Sequence, residues 1–368
     1  MTTIVKAADA AQFLALVPRL LGFTPRKSVV IVPMSGPRSL GGMRLDLPAD
    51  TDDPCDLLAA TVIGMVCRVT SADGFLAVVY TDESGSTSLP RAQLAEALTR
   101  AADASGLSVV DVFVVAADGW ASLLDETPER RALSELTLTA PLGPEPAPGD
   151  QTSGARLPEA SAGDRRRVGA AHRSLGDALA VICGIPSDRT RQERIDPSAL
   201  AAACELDDLP RLYEKAPDWD PDDLDPMNVA LVGWCLQRPA LRDVALVQWA
   251  SDALGGTEAM AAQHRWEDGE EYPADLASVM WGEGATPDPD RLQRALRLTL
   301  HIAARTARRR RAGLLAVSAW LSWALGRSTH ADRFAEMALE IDETHGLADI
   351  VRSFVAATHL PDWAFRRG

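Results

Sequence analysis

Residues 11–32, AQFLALVPRLLGFTPRKSVVIV, decide the fold of this chain. The first half repeats apolar residues at the spacing of one helical face, which predicts a short amphipathic helix; these residues are Phe13, Val17, Leu20 and Leu21. Gly22 follows as a helix stop, and Pro25 prevents the helix from resuming. The run from Ser28 to Pro33 then places four β-branched residues together, as in a buried central strand. Because such a strand must be covered on both faces, the segment predicts a layered α/β domain.

Further strands and helices alternate after this segment. A helix is expected to start at Asp53–Pro54, with its buried face at Leu58, Val62, Met65 and Val69, and another helix at Pro90. The remaining strands are expected at Met43–Leu47, which we pair with the first strand as a hairpin, at Gly74–Tyr80, at Val109–Ala117 and, after an Asp118–Gly119 turn, at Trp120–Leu124. The pattern predicts a mixed sheet with helices packed on it.

The composition changes between Pro141 and Gly163, where Pro, Gly, Ser and Ala dominate and few residues can be buried. Such a segment is typical of a flexible linker or an exposed loop. We therefore predict an α/β domain at residues 1–140, a linker at 141–163 and a second domain at 164–368, which agrees with the two domains expected from a length of 368 residues.

The second region carries helical patterns only, with short connections that favour antiparallel neighbours. The helices are expected at about residues 164–183, 197–204, 226–237, 240–254, 288–311, 313–325, 329–343 and 346–358. Gly255–Gly256–Thr257 is interpreted as a helix terminator. The stretch from Ala319 to Gly326, followed by Ala331, Phe334 and Ala338, is similar to a tetratricopeptide hairpin, although only one good copy is present.

The opening segment also supports a family resemblance. The order of a helix, LLGFTP, a charged residue, SVVIV and then Arg44, Asp46 and Pro48 resembles the actinobacterial family catalogued as domain of unknown function 4192. The resemblance runs on to the C-terminal helices. It implies an actinobacterial or actinophage source and a cytoplasmic setting, and it carries no activity. Members commonly place a cysteine-bearing segment after the hairpin tryptophan, whereas Trp120–Asp125 has no cysteine.

Composition and motif spacing exclude several function classes. The net charge of −15 makes nucleic acid an unlikely partner for the surface as a whole. The longest apolar run, Gly313–Leu325, is too short to span a bilayer, so no membrane association is expected. The five cysteines and six histidines lack metal-ligand spacing, and no phosphate-binding glycine loop or serine-hydrolase motif occurs. We therefore predict reduced thiols, no metal and no cofactor.

Two charged runs are candidate ion-binding segments. The acidic run Asp218–Asp225 suggests a calcium loop, but its sixth and twelfth positions are Asp223 and Val229, where Gly and Glu are required. An N-cap at Asp225 with proline at the first helical position is the preferred interpretation. The basic run offers candidate anion-binding residues, Arg305, Arg308, Arg309 and Arg311. Cations that stabilise a helix C-terminus are the preferred interpretation there.

One candidate ligand site lies in the α/β region. Ligands of such sheets bind beyond strand ends. The residues expected at one rim of the sheet are Arg44, Asp46, Asp82 and Trp120. A surface salt bridge and a capped hairpin form the simpler interpretation of the same residues.

The sequence contains no catalytic signature. We expect a cytoplasmic, non-catalytic binding, scaffold or regulatory protein that acts on a protein partner through its helical domain. The alternatives are a small-molecule enzyme or ligand-binding protein that uses the strand-end rim, and a nucleic-acid-associated protein that uses residues 305–311.

Overall fold

The computed structural model describes residues 9–48, 55–85, 89–138, 145–185 and 195–366. The contacts divide the chain into two compact units, which we call unit 1 (Met1–Ser153) and unit 2 (Gly154–Arg366). The division falls inside the segment for which we predicted a linker. The flexibility of that segment stays a prediction.

The described part of unit 1 contains a sheet, three α-helices and a 3₁₀ turn at Leu133–Glu135. In chain order its elements are α1 (Ala10–Leu21), β1 (Ser28–Ser35), β2 (Arg38–Ser39), β3 (Met43–Asp46), α2 (Cys55–Cys67), β4 (Gly74–Tyr80), α3 (Ala92–Ser105), β5 (Ser108–Ala116) and β6 (Gly119–Ser122). The predicted strands are therefore confirmed within a few residues. The predicted cap of α2 at Asp53–Pro54 lies outside the described residues.

The sheet is mixed, and its order is β2-β1-β4-β5-β6, with β3 also paired to β1. β1 runs antiparallel to β2, β3 and β4, and β5 runs antiparallel to β6. β4 and β5 are parallel, as expected for strands joined by a crossover helix, here α3. One end of the sheet therefore collects the start of β1 and the carboxyl ends of β4 and β5.

Local sequence explains how α1 leads into β1. Asp9 caps α1 by accepting a hydrogen bond from the backbone N–H of Gln12. Gly22 ends the helix at φ 82°, a left-handed conformation that glycine adopts without steric cost. The predicted apolar face of α1 was wrong in part: Leu14 and Val17 are buried, whereas Leu20 is 46% exposed. The buried side is centred between residues 14 and 17, and residue 20 lies about 90° around the helix from that centre, at the edge of the buried side.

The two faces of the sheet are covered differently. On one face, α1 packs on alternate residues of the strands, and the buried cluster there contains Leu14, Val17, Val30, Val32, Met34, Leu76, Val78, Tyr80, Phe113 and Trp120. The other residues of β1 and β4, such as Val29 and Val79, are fully buried too. On their side α3 contacts β5 and packs against α2. This arrangement gives the layered α/β domain that the sequence predicted.

Part of the proline-rich segment runs alongside the turn after α1. The backbone N–H of Ala147 donates to the carbonyl of Gly22 (2.8 Å), and that of Thr24 donates to the carbonyl of Gly149 (3.2 Å). The Gln151 side chain accepts from the backbone N–H of Arg26 and donates to its carbonyl. These bonds pair backbone groups that have no partner in the sheet.

Unit 2 is helical throughout its described residues, apart from turns. Its α-helices are α4 (Ala162–Ile182), α5 (Pro197–Cys204), α6 (Leu209–Lys215), α7 (Pro226–Leu236), α8 (Pro239–Ala250), α9 (Ala253–Glu267), α10 (Ala274–Val279), α11 (Pro289–Arg305), α12 (Ala312–Ala324), α13 (Ser328–Leu339) and α14 (Gly346–Ala356). The predicted fold class, an α/β region followed by a helical region, is confirmed. None of the described helices combines the length and the apolar composition needed to cross a bilayer.

Three helices, α6, α9 and α10, are absent from the sequence-based prediction. The interpretation of Gly255–Gly256 as a terminator was wrong, because both glycines lie in the first turn of α9, where Asp252 caps the helix. Gly256 is needed for packing instead. A Cβ atom built on it would lie 2.1 Å from the Oε1 atom of the buried Gln248. The glycine thus permits a close approach between α9 and α8.

The helix predicted at 288–311 is also shorter than expected. α11 ends at Arg305, residues Arg308–Arg310 form a separate 3₁₀ turn, and α12 starts at Ala312. The reason is that guanidinium groups satisfy the last carbonyls of α11. Arg311 donates to the carbonyl of Thr306 (2.7 Å), and Arg165 donates to that of Ala304 (3.3 Å).

The predicted hairpin between α12 and α13 is present. Gly326 has φ 74°, and Ala331, Phe334 and Ala338 are fully buried. α12 is buried along its whole length. The similarity to a tetratricopeptide repeat stays a prediction.

The C-terminal segment closes an aromatic cluster over α12. The indole N–H of Trp323 donates to the carbonyl of His359 (2.7 Å), and that of Trp363 donates to the carbonyl of Ala324 (2.9 Å). The Phe354 ring lies 4.7 Å from that of Trp323. The indole N–H groups of Trp323 and Trp363 are therefore both satisfied by backbone carbonyls, as is usual for buried tryptophans.

Candidate functional site

Unit 1 has a cleft of about 410 Å³ at the end of the sheet where β4 and β5 finish. Its volume falls within the range of small-molecule sites, roughly 300–1,000 Å³. We call this cleft the strand-end pocket. The register explains its position, because Tyr80 lies opposite Ser28 at the start of β1 and beside Val115 near the end of β5. Ligand sites of open α/β sheets lie beyond the carboxyl ends of the strands in the same way.

The walls of the pocket are mainly apolar. α1 contributes Leu14, Ala15 and Pro18, and the segment after β6 contributes Leu133 and Leu136. α1 lies over this end of the sheet because Leu14 packs into the same cluster as Tyr80. These side chains can hold the hydrocarbon part of a ligand but offer it no hydrogen bonds.

Tyr80, the last residue of β4, supplies a buried polar atom. Its side chain lies on the face of the sheet that α1 covers, and the residue is 7% exposed. The hydroxyl has no hydrogen-bond partner among the described residues. Burial raises the pKa of this phenol, so the group stays protonated and can donate. An unpartnered buried polar group costs about 1–3 kcal/mol, which an acceptor on a ligand could offset.

Charged groups stand at the mouth of the pocket. The Arg26 guanidinium lies 2.9 Å from Asp82 Oδ2, and the Lys27 ammonium lies 3.7 Å from the same oxygen. One carboxylate oxygen thus faces two cations that carry several N–H donors. Asp150 also lies near Arg26, whose charge helps to lower the pKa of that carboxyl after its hydrogen bonds to Thr152.

The backbone is strained at this mouth. Lys27 has φ 45°, a left-handed conformation that is uncommon for residues other than glycine. Such conformations cost on the order of 1–3 kcal/mol and cluster at ligand sites. Here the conformation is held by the Ser28 hydroxyl, which donates to the carbonyl of Arg26 (2.6 Å). The Leu47 backbone N–H also donates to the carbonyl of Lys27 (2.9 Å).

The structure separates the four residues that the sequence placed at one rim. Asp82 lines the strand-end pocket. Arg44 donates to Asp46 (2.6 Å) and to the Ser28 hydroxyl (2.8 Å), and neither Arg44 nor Asp46 is among the lining residues. Trp120 is 2% exposed. A ligand role for any of the four stays a prediction.

Trp120 belongs to the core instead of the pocket lining. Its ring meets Phe113 edge-on at a centroid distance of 6.3 Å, and the guanidinium of Arg131 lies 5.0 Å above it. Its indole N–H has no partner within the part of the chain that the structure describes. The neighbouring Asp118 organises a loop: it accepts from Ser84 (2.6 Å) and from the Gly85 N–H (2.8 Å), which lowers the pKa of its carboxyl.

Other candidate sites of the sequence have structural roles. Asp225 accepts from the backbone N–H groups of Met227 and Asn228, so it caps α7 as the preferred interpretation stated. No group of three or more potential metal ligands occurs within residues 9–48, 55–85, 89–138, 145–185 and 195–366. Of the five thiols, only that of Cys235 is buried, and burial raises its pKa to about 12.

The arginine run divides into two groups. Arg305 donates to the carbonyls of His301 and Asp222, both at 3.2 Å, and Arg311 donates to that of Thr306, so these two act on the end of α11. Arg308 and Arg309 are exposed on the 3₁₀ turn. Anion binding by the run stays a prediction.

Sequence reasoning missed the residues that shape the strand-end pocket. The sequence places Tyr80 in a strand, and it predicts no role for Arg26 or Lys27. A usable signal was present, because an aromatic residue with a polar tip ends an apolar strand directly before Thr81 and Asp82. The segment that supplies Leu133 and Leu136 carries no periodic pattern from which its position could be derived.

Comparison with known proteins identifies a family and nothing more specific. The family model described as Domain of unknown function (DUF4192) matches residues 11–362. No curated protein and no solved structure matches the chain. Since the match spans nearly the whole sequence, the chain belongs to the DUF4192 family.

Proposed function

We propose that unit 1 is a ligand-binding domain that holds a small amphipathic molecule in the strand-end pocket. The observation that carries the proposal is the buried Tyr80 hydroxyl, which has no partner and stands beside an apolar cleft. A polar group in such a place favours a ligand that supplies the missing acceptor. The apolar wall from α1 would take the hydrocarbon part of the same molecule.

The mouth of the pocket favours a head group that accepts hydrogen bonds, such as a carboxylate or a sulfonate. Arg26 and Lys27 share Asp82 Oδ2, and the contact of Lys27 is long at 3.7 Å. An incoming acceptor can therefore recruit Lys27 and the guanidinium N–H groups of Arg26 that do not face Asp82, without breaking the shorter Arg26–Asp82 pair. A charge-assisted hydrogen bond of this kind is about twice as strong as a neutral one.

Binding without catalysis fits this pocket best. The described residues that line it include no histidine or cysteine, and its one carboxylate, Asp82, is engaged by Arg26. A nucleophile–base pair built on histidine or cysteine is thus absent from the described lining. A cytoplasmic setting and a protein partner for the helical unit remain predictions from the sequence.

The proposal can be tested with 8-anilinonaphthalene-1-sulfonate, an aromatic anion that fluoresces when it is bound. The full chain should bind it with a saturable, one-to-one component. Ala15→Trp, which fills the pocket from α1, should weaken that component by about tenfold or more. Ala104→Trp is the matched control, because Ala104 is exposed on α3 and does not line the pocket.

The polar contribution is tested separately. Arg26→Gln should weaken the probe by roughly three- to tenfold, the loss expected for one partly exposed charge-assisted contact. Arg100→Gln is the control, because Arg100 forms a similar ion pair with Asp56 at 2.8 Å, and is 62% exposed where Arg26 is 59%. Equal affinities in all four variants and the wild type would show that the probe binds elsewhere and would refute the proposal.

A further inference from the structure

The arginines around the end of α11 in unit 2 do not all have the same task. Arg165, Arg305 and Arg311 donate to backbone carbonyls of the last turn and its exit, at 2.7–3.3 Å. Their positive charges stabilise a helix C-terminus and satisfy its carbonyls. These three are therefore explained by the fold.

Arg308, Arg309 and Arg310 are not explained in this way, and we call these residues of the 3₁₀ turn the arginine cluster. The nearest carboxylate oxygen to Arg308, in Glu340, is 3.8 Å away. Arg309 and Arg310 form no ion pair or side-chain hydrogen bond with any residue that the structure describes. Other arginines of the described part of unit 2, such as Arg173 and Arg297, form no ion pair either, so the distinguishing feature of the cluster is that its three members are adjacent on one turn.

Other exposed arginines of the same unit show the contrast. Arg333 lies 2.5 Å from Glu336, and Arg167 lies 2.5 Å from Asp164. Three adjacent arginines that remain without such short contacts form a site of concentrated positive potential.

Further cations surround the arginine cluster. Arg238, whose guanidinium stacks 3.4 Å from the Trp234 ring, has its pKa lowered by burial and by the charge of Arg310. Arg311 likewise has its pKa lowered by burial first and then by Arg165 and Arg308. Segments that are far apart in sequence, α4, the start of α8 and the 3₁₀ turn, thus bring like charges together. An anion placed among them would relieve this repulsion.

We propose that the arginine cluster, together with Arg238, binds the phosphoryl group of a small phosphorylated molecule. Guanidinium groups suit phosphate because their planar N–H pairs match two phosphate oxygens at once. The size of the ligand follows from the flanks. The Glu340 carboxylate lies 3.8 Å from Arg308, and the Asp222 carboxylate lies 3.9 Å from His301 near the end of α11, so an extended polyanion would also meet carboxylates.

The test uses inorganic pyrophosphate as the probe and isothermal titration of the full chain at low ionic strength. The wild type should bind it in a saturable, one-to-one manner, and sodium chloride of equal ionic strength should give no such signal. The double variant R309Q/R310Q should weaken binding by about tenfold or more, since each guanidinium contributes charge-assisted hydrogen bonds. R265Q, which removes an arginine of the same unit that lies 3.5 Å from Glu270, should bind like the wild type.

Two further measurements keep the proposal open to refutation. The melting temperature of each variant reports whether it is folded, and R308Q, in a residue whose side chain is 67% exposed, provides a second, milder change. An unchanged affinity in R309Q/R310Q, or no binding of pyrophosphate to the wild type, would overturn the proposal. A single-stranded oligonucleotide that binds more tightly than pyrophosphate, with a steep dependence on salt, would overturn it in favour of a nucleic-acid site.

Discussion

The stability of unit 2 should fall on acidification because of one buried imidazole. His172 lies on α4 and is 7% exposed, and neither ring nitrogen has a hydrogen-bond partner among the described residues. Its ring packs against Gly233 of α7: a Cβ built on that glycine would lie 3.6 Å from His172 Cε1. Burial, and to a smaller extent the charge of Arg310, lower the pKa of His172 from 6.5 to about 4.

The sign and size of the effect follow from proton linkage. Between pH 6.5 and pH 4 the unfolded chain protonates His172 and the native chain does not, so protons favour unfolding. The contribution of the neutral His172 imidazole to stability is therefore fully present above pH 6.5, and it declines as the pH falls towards 4. The pKa differs by about 2.5 units between the two states, and each unit corresponds to roughly 1.4 kcal/mol, which sets the maximum loss in the free energy of unfolding. About 3 kcal/mol of this loss occurs between pH 7 and pH 4.

The measurement is urea unfolding of the full chain at several pH values, followed by tryptophan fluorescence. Eight of the nine tryptophans lie in unit 2, since only Trp120 precedes residue 154, so the signal reports mainly on that unit. His172→Leu replaces the imidazole with an apolar side chain. Its advantage over the wild type should be about 3 kcal/mol larger at pH 4 than at pH 7.

Other groups titrate in the same range, so a comparison is needed instead of a single curve. Burial also lowers the pKa of His301 and of His345, and these contributions are common to both proteins and cancel. His264→Leu, at an exposed position of α9, should keep the pH dependence of the wild type. Parallel stability curves for His172→Leu and the wild type from pH 7 to pH 4 would refute the reasoning.

Three further predictions concern stability. Gly282→Ala should lower the free energy of unfolding by about 2–4 kcal/mol, because φ is +86° and the new Cβ would lie 2.6 Å from Pro361. Gly284→Ala, where φ is +98° and the space around a Cβ is open, should lower it by about 1–2 kcal/mol, because only the backbone conformation is unfavourable. Ala338→Leu should cost roughly 1–3 kcal/mol by overpacking the α12–α13 interface, and Glu336→Ala, on the exposed side of α13, less than about 0.5 kcal/mol. Tyr80→Phe should be neutral or stabilising by up to about 1 kcal/mol, since it removes an unpartnered hydroxyl. All are measured by urea unfolding, and equal effects within the glycine pair or between Ala338 and Glu336 would contradict the packing described.

The sequence predicted those parts of the fold that local patterns determine. β1 is recognisable because its residues are apolar on both faces, and α7 because Asp225 and Pro226 form a cap with proline at the first helical position. The order of the strands depends on contacts between residues distant in sequence, and no local pattern encodes it. The mixed character of the sheet was predictable, whereas the antiparallel pairing of β1 with β4 was not.

The missed helices show where local patterns fail. The two glycines of α9 have poor helix propensity, and the interpretation as a terminator followed from that. That interpretation is wrong because Gly256 packs against the Gln248 side chain of α8, and only a residue without a Cβ atom fits there. Tertiary packing thus outweighs a local cost of about 1 kcal/mol per glycine.

The candidate site was partly predictable for a related reason. The end of the sheet at which a ligand would bind follows from strand direction, and Asp82 was found on that basis. The groups that make the place chemically distinctive are an unpartnered hydroxyl on Tyr80 and a strained backbone at Lys27. The unpartnered hydroxyl and the unfavourable backbone conformation both result from three-dimensional packing and not from local sequence. A tyrosine in a sequence shows that a hydroxyl is present, but the lack of a partner is a property of everything packed around it. Binding sites are therefore the hardest part of a protein to predict from sequence patterns, because a binding protein leaves a cavity and hydrogen-bonding groups free for the ligand.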